Sequence, residues 1–375
     1  MLYVDSDKLR DLHHVCIDRV QEDADNCLTD NIFTILDKRL VAPSGNKQDY
    51  LTVAPYFHLN KSTGEWVRKD CTRNRASDLF AEESKDYDKT YLQYAMDNII
   101  TLALAYKYTG IDKYQDRACE YIRTWFINDK TRMNPNLKFS QMYGLSGTGI
   151  IDFKDFWVVL DSIKCVQHAL DTNERLSLQN WCAELLEWLN TDSAGGMEIG
   201  RDNNHTSSIL LTKLNLAMFC DNTTELNSIA SKWIFYMQKQ IDSQGMLVHE
   251  QTRPDSFHYC LFGLQLIINL GWCLDKFKLV VDPLLDERIV RSVEWMAQFY
   301  RLSEWQLPMK KQISDRTYTK RVLPIIFTLI DINNKNNMAG EELVLDDQVR
   351  KDVCDNLVFH PNEGIPRYWP LIFYK

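Results

Sequence analysis

From about residue 87 onward, apolar side chains return every three or four positions. Leu92, Met96, Ile99, Ala103 and Tyr106 make one stripe, and Tyr114, Ala118, Tyr121, Ile122 and Trp125 make the next. That period predicts amphipathic helices. Tyr108-Thr109-Gly110 interrupts it, with Gly110 placed to end the first helix. Asp152 reads as the cap of a helix carrying Phe156, Val159, Leu160, Ile163 and Val166. Further helices are predicted at about 173–190, 204–219, 223–241, 256–274 and 286–301, and Leu226, Ile229, Ala230, Trp233 and Met237 share one face.

The helices come in pairs joined by loops of Gly, Asn, Asp and Pro, and alternating strand patterns are scarce. This predicts an all-α fold. The pairs share no consensus, which disfavours a regular solenoid and favours an α/α toroid, an incomplete barrel of helical hairpins. No low-complexity linker or composition shift divides the chain, so residues 1–375 are expected to form a single domain. Residues 40–75 hold Pro43, Gly45, Pro55 and Gly64 and read as a long N-terminal loop over the cleft. Residues 332–345 read as an exposed loop, and the aromatic run around Pro366 to Pro370 as packed on the body.

Charge narrows the functional classes. The formal net charge is −9, and phosphate binding needs a basic face, so nucleic acid is not the expected partner. An anionic polymer would need a local basic cleft, for which Lys47, Arg68, Lys69, Lys138, Arg201 and Arg253 are candidates. No basic region followed by an apolar run opens the chain, so no signal peptide is visible. A cytoplasmic or unconventional location follows as an expectation. No apolar run reaches about 18 residues, so no membrane span or membrane partner is expected. Ten cysteines lie without CxxC pairs, and reduced, buried thiols are expected. No metal-binding or phosphate-loop motif appears, so no metal or cofactor is expected.

Two short stretches carry the chemistry. One is Asn203-Asn204-His205; the other runs from Arg253 through Ser256, Phe257 and His258 to Tyr259. Together they supply an amide, an imidazole, a guanidinium and a phenol. That set suits removal of a carbon-bound proton next to a carboxylate. Amide and guanidinium can hold the carboxylate and absorb its developing charge. Imidazole or phenol can take the proton, and the phenol can return one to a leaving oxygen. Each residue also has a plainer reading: Asn-His at a helix start is a common cap, and an Arg near a Tyr is a common surface pair.

The order of motifs resembles the alginate-lyase-type polysaccharide lyases. Ser44-Gly45-Asn46-Lys47-Gln48-Asp49-Tyr50 with Ala54-Pro55-Tyr56 is similar to the family's N-terminal segment. Arg132 to Gln141 is similar to a second block, and Gly147 to Asp152 to a third. Asn203-Asn204-His205 and the run from Asp242 to Tyr259 complete the set, so that the resemblance spans about residues 40–275. It implies a helical toroid and β-elimination from a uronic-acid polymer, alginate-like or glucuronan-like. Asn204 and Arg253 would neutralise the carboxylate. His205 would assist them or act as base for one sugar epimer, and Tyr259 would be the general acid, and also the base in a syn elimination. Lys47, Tyr56 and Gln141 would contact neighbouring sugars, with His258 beside them either in the site or in the core. The substrate would be the main partner, and a monomer is favoured. The chain departs from the family pattern at Phe57-His58-Leu59, Thr206-Ser207-Ser208 and Asp255, which bears on substrate identity. Two other readings stay open: a glycoside hydrolase using two of Asp202, Glu250 and Asp255, and a non-catalytic carbohydrate-binding protein.

Overall fold

The computed structural model describes residues 2–3, 6–147, 149–300, 304–305, 311–312, 321–336, 341–342, 347–355, 357, 365 and 367–373. Its contacts divide the chain into two compact units that interleave in sequence. One comprises Val20–Arg201 and Ser208–Glu225; the other comprises Met1–Arg19, Asp202–Ser207 and Leu226–Lys375. A two-residue strand, β1 (Leu2–Tyr3), precedes the N-terminal helix α1 (Ser6–Cys27), which buries Leu12, Cys16, Val20, Ala24 and Cys27, a stripe with the helical period.

The unit containing Val20–Arg201 is organised by α2 (Lys89–Thr109), which packs against α3 (Asp112–Ile122) and α4 (Phe156–Val166). Helix α2 ends as expected: Gly110 takes φ 68°, and its N–H bonds to the Tyr106 carbonyl at 2.8 Å. That left-handed turn suits glycine because it has no Cβ to clash. After α3 the chain widens into one π-helical turn, Arg123–Ile127, burying Trp125 and Phe126. Phe126, Phe156, Phe153 and Trp181 then form an aromatic core with tilted and edge-on contacts of 4.8–5.9 Å between ring centroids. Burying each such side chain stabilises the fold by about 1.5–3 kcal/mol. Trp181 lies on α5 (Thr172–Thr191), whose N-terminus carries a capping box between Asp171 and Glu174. The short helix α6 (Ser193–Ile199) follows.

The stretch 40–75 contains more structure than its sequence suggests. β2 (Leu51–Val53) runs parallel to β5 (Phe139–Tyr143), which pairs antiparallel with β6 (Ser146–Gly147). β3 (Phe57–Leu59) and β4 (Trp66–Arg68) form a small hairpin. These strands are two to five residues long, too short for an alternating pattern to register. Asp152 corrects a second expectation. It sits in a 3₁₀ turn, Ile150–Phe153, and caps nothing; the residue before α4 is Asp155, which also makes no side-chain cap. Buried hydroxyl and amide donors claim the Asp152 carboxylate instead.

In the other unit, α7 (Asn204–Phe219) contributes its first turn, and α8 (Thr223–Gln240) buries Leu226, Ile229, Trp233 and Met237. Helix α9 (Ser256–Lys276) is long and apolar enough to cross a membrane, but 89% of its apolar window is buried inside the protein. α10 (Glu287–Ala297) packs against α11 (Leu323–Lys335). α11 corrects the loop expected at 332–345: Ile332 and Asn333 are buried in its last turns, while residues 337–340 and 343–346 lie outside the described residues. Short helices α12 (Asp347–Asp355) and α13 (Trp369–Phe373) follow. Tyr368 and Trp369 are fully buried, in keeping with the aromatic C-terminal segment; Pro366 lies outside the described residues. All ten cysteines are thiols outside any disulfide, and burial pushes the Cys16 thiol up to about 12.

Candidate active site

The start of α7 and the turn before α9 meet at one buried carboxylate, Glu250. Helix α7 begins at Asn203, whose side-chain oxygen accepts from the His205 N–H at 3.0 Å and whose carbonyl accepts from the Thr206 N–H at 2.9 Å. The cap is therefore Asn203. This leaves Asn204 for another task. Its backbone N–H donates to Glu250 Oε1 at 2.9 Å, and its side-chain Nδ2 donates to the same oxygen at 2.6 Å. A carboxylate only accepts, so the Asn204 amide must present its nitrogen to Glu250. One amide hydrogen is engaged there and the second is directed elsewhere.

Glu250 is 2% exposed and Asn204 is 3% exposed. Among the described residues the second oxygen of Glu250 accepts no hydrogen bond, and it stands 3.9 Å from Arg253 Nη1. Arg253 follows in the same turn, its N–H bonded to the Glu250 carbonyl. Its guanidinium carbon lies over the Tyr259 ring, 3.7 Å from the centroid. Tyr259 is on the first turn of α9 and is 6% exposed. One turn further, Gly263 opens the space Glu250 occupies: a Cβ there would stand 3.3 Å from Glu250 Cγ and 2.9 Å from Leu247 Cδ2. Burial and then the Glu250 charge push the neighbouring Cys260 thiol well up. Beside Tyr259, the half-buried His258 meets its ring edge-on at 4.9 Å and stacks on Phe262 at 6.0 Å.

A second polar network lies in the unit containing Val20–Arg201, around Asp152. One carboxylate oxygen accepts from Thr52 Oγ1 at 2.7 Å and Ser140 Oγ at 3.1 Å; the other accepts from Gln141 Nε2 at 2.9 Å. Lys89 Nζ is 3.7 Å away, and burial holds its ammonium below the ordinary lysine range. Gln141 adopts φ 49°, a conformation rare for side-chain-bearing residues, and its N–H is anchored to Thr52 Oγ1 at 2.7 Å. Nearby, Asp49 gathers Asn134, Asn136 and Ser44, at 2.8, 3.3 and 2.6 Å.

The alginate lyase family model matches residues 35–305. The chain belongs to the alginate lyase family. It is accordingly a polysaccharide lyase. The crystal structure of an alginate lyase from Bacteroides ovatus superposes with a TM-score of 0.80 at 20% identity, covering 97% of this chain and 94% of that one. Alginate lyase A1-III from Sphingomonas species A1 gives a TM-score of 0.45 at 12% identity, over 95% of this chain and 94% of that one. No curated protein matches in sequence. The likeness to the first structure establishes the fold, in the class of helical toroids expected from the paired helices.

Within this alginate-lyase-family chain, the five sequence blocks sort into two networks. The Asn203–His205 block and the block ending at Tyr259 meet at Glu250. The three earlier blocks interlock around Asp49 and Asp152. The structure brings Asn204, Arg253, Tyr259 and His258 into one cluster, with His205 next to Asn204 in the first turn of α7. Lys47, Tyr56 and Gln141 belong to the other unit. Lys47 donates to the Leu36 carbonyl at 2.8 Å, Tyr56 is half-buried, and the Gln141 amide is taken up by Asp152. Two of the candidate cleft cations are paired with carboxylates: Arg201 with the buried Glu198 at 2.6 Å and Arg68 with Asp70 at 3.2 Å. The residue that sequence reasoning left without a role in the lyase site is Glu250. Its signal was present, since it stands three positions before Arg253 in the same block, but a carboxylate in a site for an anion reads at first as a misfit.

Proposed function

We propose that this lyase cleaves a uronic-acid polymer, alginate-like or glucuronan-like, by β-elimination that needs no metal. The observation that carries the reading is the single cluster in which Glu250 links the Asn204 amide to the Arg253 guanidinium, itself over the Tyr259 ring. The hydrogen next to a uronate carboxylate is weakly acidic, because the ionised group opposes a second charge. Donors fixed on the carboxylate before reaction lower that barrier by several kcal/mol, about 3–4 for one well-placed donor. The second Nδ2 hydrogen of Asn204 and the Arg253 guanidinium are the donors. Tyr259 as the phenolate takes the C5 proton in a syn elimination, or neutral His205 takes it for the opposite epimer while Tyr259 stands as the phenol. The C5–H electrons form the C4–C5 double bond as the C4–O4 bond breaks, and Tyr259 returns a proton to the departing O4. The products are a new reducing end and an unsaturated uronate at the non-reducing end.

The partners of two candidate carboxylates speak against hydrolysis. Inverting or retaining hydrolysis needs two carboxyls facing the bond, about 5–9.5 Å apart. Glu250 is committed to Asn204, and Asp202 to Lys239 at 3.2 Å. The test is ultraviolet absorbance of the conjugated product with polymannuronate, polyguluronate, glucuronan and hyaluronan in turn, with and without chelator. A rise that survives chelator, and that vanishes in Tyr259→Phe with the fold intact, is the expected result. New reducing ends without the absorbance would replace elimination by hydrolysis.

A further inference from the structure

We infer that Glu250 is the positioning residue of this site: its buried carboxylate orients the Asn204 amide and tethers Arg253, so that both face the substrate carboxylate. The inference rests on the elimination reading above. A carboxylate is an unlikely neighbour for a site that must hold another carboxylate, because like charges raise the cost of bringing them together. Its retention therefore needs a compensating task, and the geometry supplies one. Oε1 is saturated by two donors from one residue, the Asn204 N–H and Nδ2. That pair fixes both the backbone and the side chain of Asn204. It also turns the amide nitrogen toward Glu250, leaving its second hydrogen for the substrate.

Oε2 is buried and, among the described residues, accepts no hydrogen bond, with Arg253 Nη1 at 3.9 Å as its nearby cation. This distance is too long for a hydrogen bond and short enough for a strong charge attraction in a buried place. Arg253 thus lies between the Glu250 charge and the Tyr259 ring, with no hydrogen bond to Glu250. The absence of a side chain at Gly263 gives Glu250 its room. Each contact lies inside the unit that holds Asp202–Ser207 and Leu226–Lys375.

The test is a double-mutant cycle on turnover. Glu250→Ala should lower kcat about 100-fold, comparable to losing one preorganised donor. Glu250→Gln, which keeps an acceptor for Asn204 but turns a donor toward the guanidinium, should lower it about 10-fold, and KM should stay within about threefold in both. On an Asn204→Ala background, assayed at raised enzyme concentration, Glu250→Ala should cost less than about tenfold more. Loss of folded enzyme would multiply equally on both backgrounds, so coupling separates positioning from scaffolding. Circular dichroism checks the fold, and Glu250→Asp, whose carboxylate falls short of Asn204, replaces Glu250→Ala if that variant does not fold. Wild-type kcat in Glu250→Gln, or equal losses on both backgrounds, overturns the inference. A wild-type enzyme that makes no unsaturated product overturns the elimination reading instead.

Discussion

At the scale of single residues, Asn204 turns its amide nitrogen to Glu250. Replacing Asn204 with Asp is nearly isosteric but places a second carboxylate against Glu250 Oε1, where the amide nitrogen now stands at 2.6 Å. Two carboxylates so placed cannot both ionise. Asn204→Asp is therefore expected to lose more activity than Asn204→Ala, and to be less stable near neutral pH. Comparing kcat and thermal midpoints of the two variants checks this, and a more active Asp variant would contradict the geometry. Gly263→Ala should disturb the same carboxylate from the opposite side by crowding Leu247 and Glu250, with a loss of about 1–3 kcal/mol from overpacking. Urea unfolding measures it. Most of this cluster is legible in the sequence, since Asn204, Arg253 and Tyr259 stand in recognisable spacing. The link between them is not, because the distance from Glu250 to Asn204 is one of space and no local pattern encodes a contact forty-six positions away.

At the scale of elements, helices announce themselves and short strands do not. Helix α2 was legible because its stripe is long and Gly110 ends it, and α9 because apolar positions dominate its 21 residues. Strands of two or three residues give periodicity nothing to work on, so β2 to β4 were invisible within 40–75. Asp152 was misread because an acidic residue ahead of an apolar stripe resembles a cap, whereas its hydrogen-bond partners come from residues 52, 140 and 141. The segment after residue 332 was misread because Asn-rich composition suggests a loop, yet α11 continues through it to Lys335. Caps carry a direct prediction. Asn203→Ala removes the side-chain bond to the His205 N–H and should cost about 1 kcal/mol, read by chemical denaturation. Its effect on kcat should be smaller than that of Asn204→Ala, since Asn203 holds the helix and Asn204 is the proposed donor to the substrate.

At the scale of the whole molecule, one buried ion pair links stability to pH. Lys38 and Asp88 are both fully buried and stand 2.8 Å apart, and Lys38 also donates to the carbonyls of Ile35, Lys47 and Asp49. Burial raises the Asp88 carboxyl to about 7 even though Lys38 pulls the other way. A carboxyl whose folded pKa lies above its unfolded value of 3.8 favours folding fully below that value, and this contribution is lost as pH rises through about 7. Lys38→Met leaves Asp88 without its counter-charge and should destabilise the protein by about 3–5 kcal/mol at pH above 7. Part of that loss should return near pH 5, where Asp88 is protonated. Urea unfolding of both proteins at the two pH values checks the narrowing gap, and a gap that widens toward acid would refute it.

The interleaving of the two units has a consequence for inheritance. The residues gathered at Glu250 come from Asp202–Ser207 and from the stretch after Leu226, with a piece of the other unit encoded between them. No single contiguous segment of the gene encodes the Glu250 unit alone. A crossover between residues 208 and 249 would join Asn204 from one parent to Glu250, Arg253 and Tyr259 from another. Recombined descendants would keep working only when both parents agreed on the fit between that amide and that carboxylate. Residues around Asp49 and Asp152, encoded upstream of both, could be exchanged without breaking this pairing.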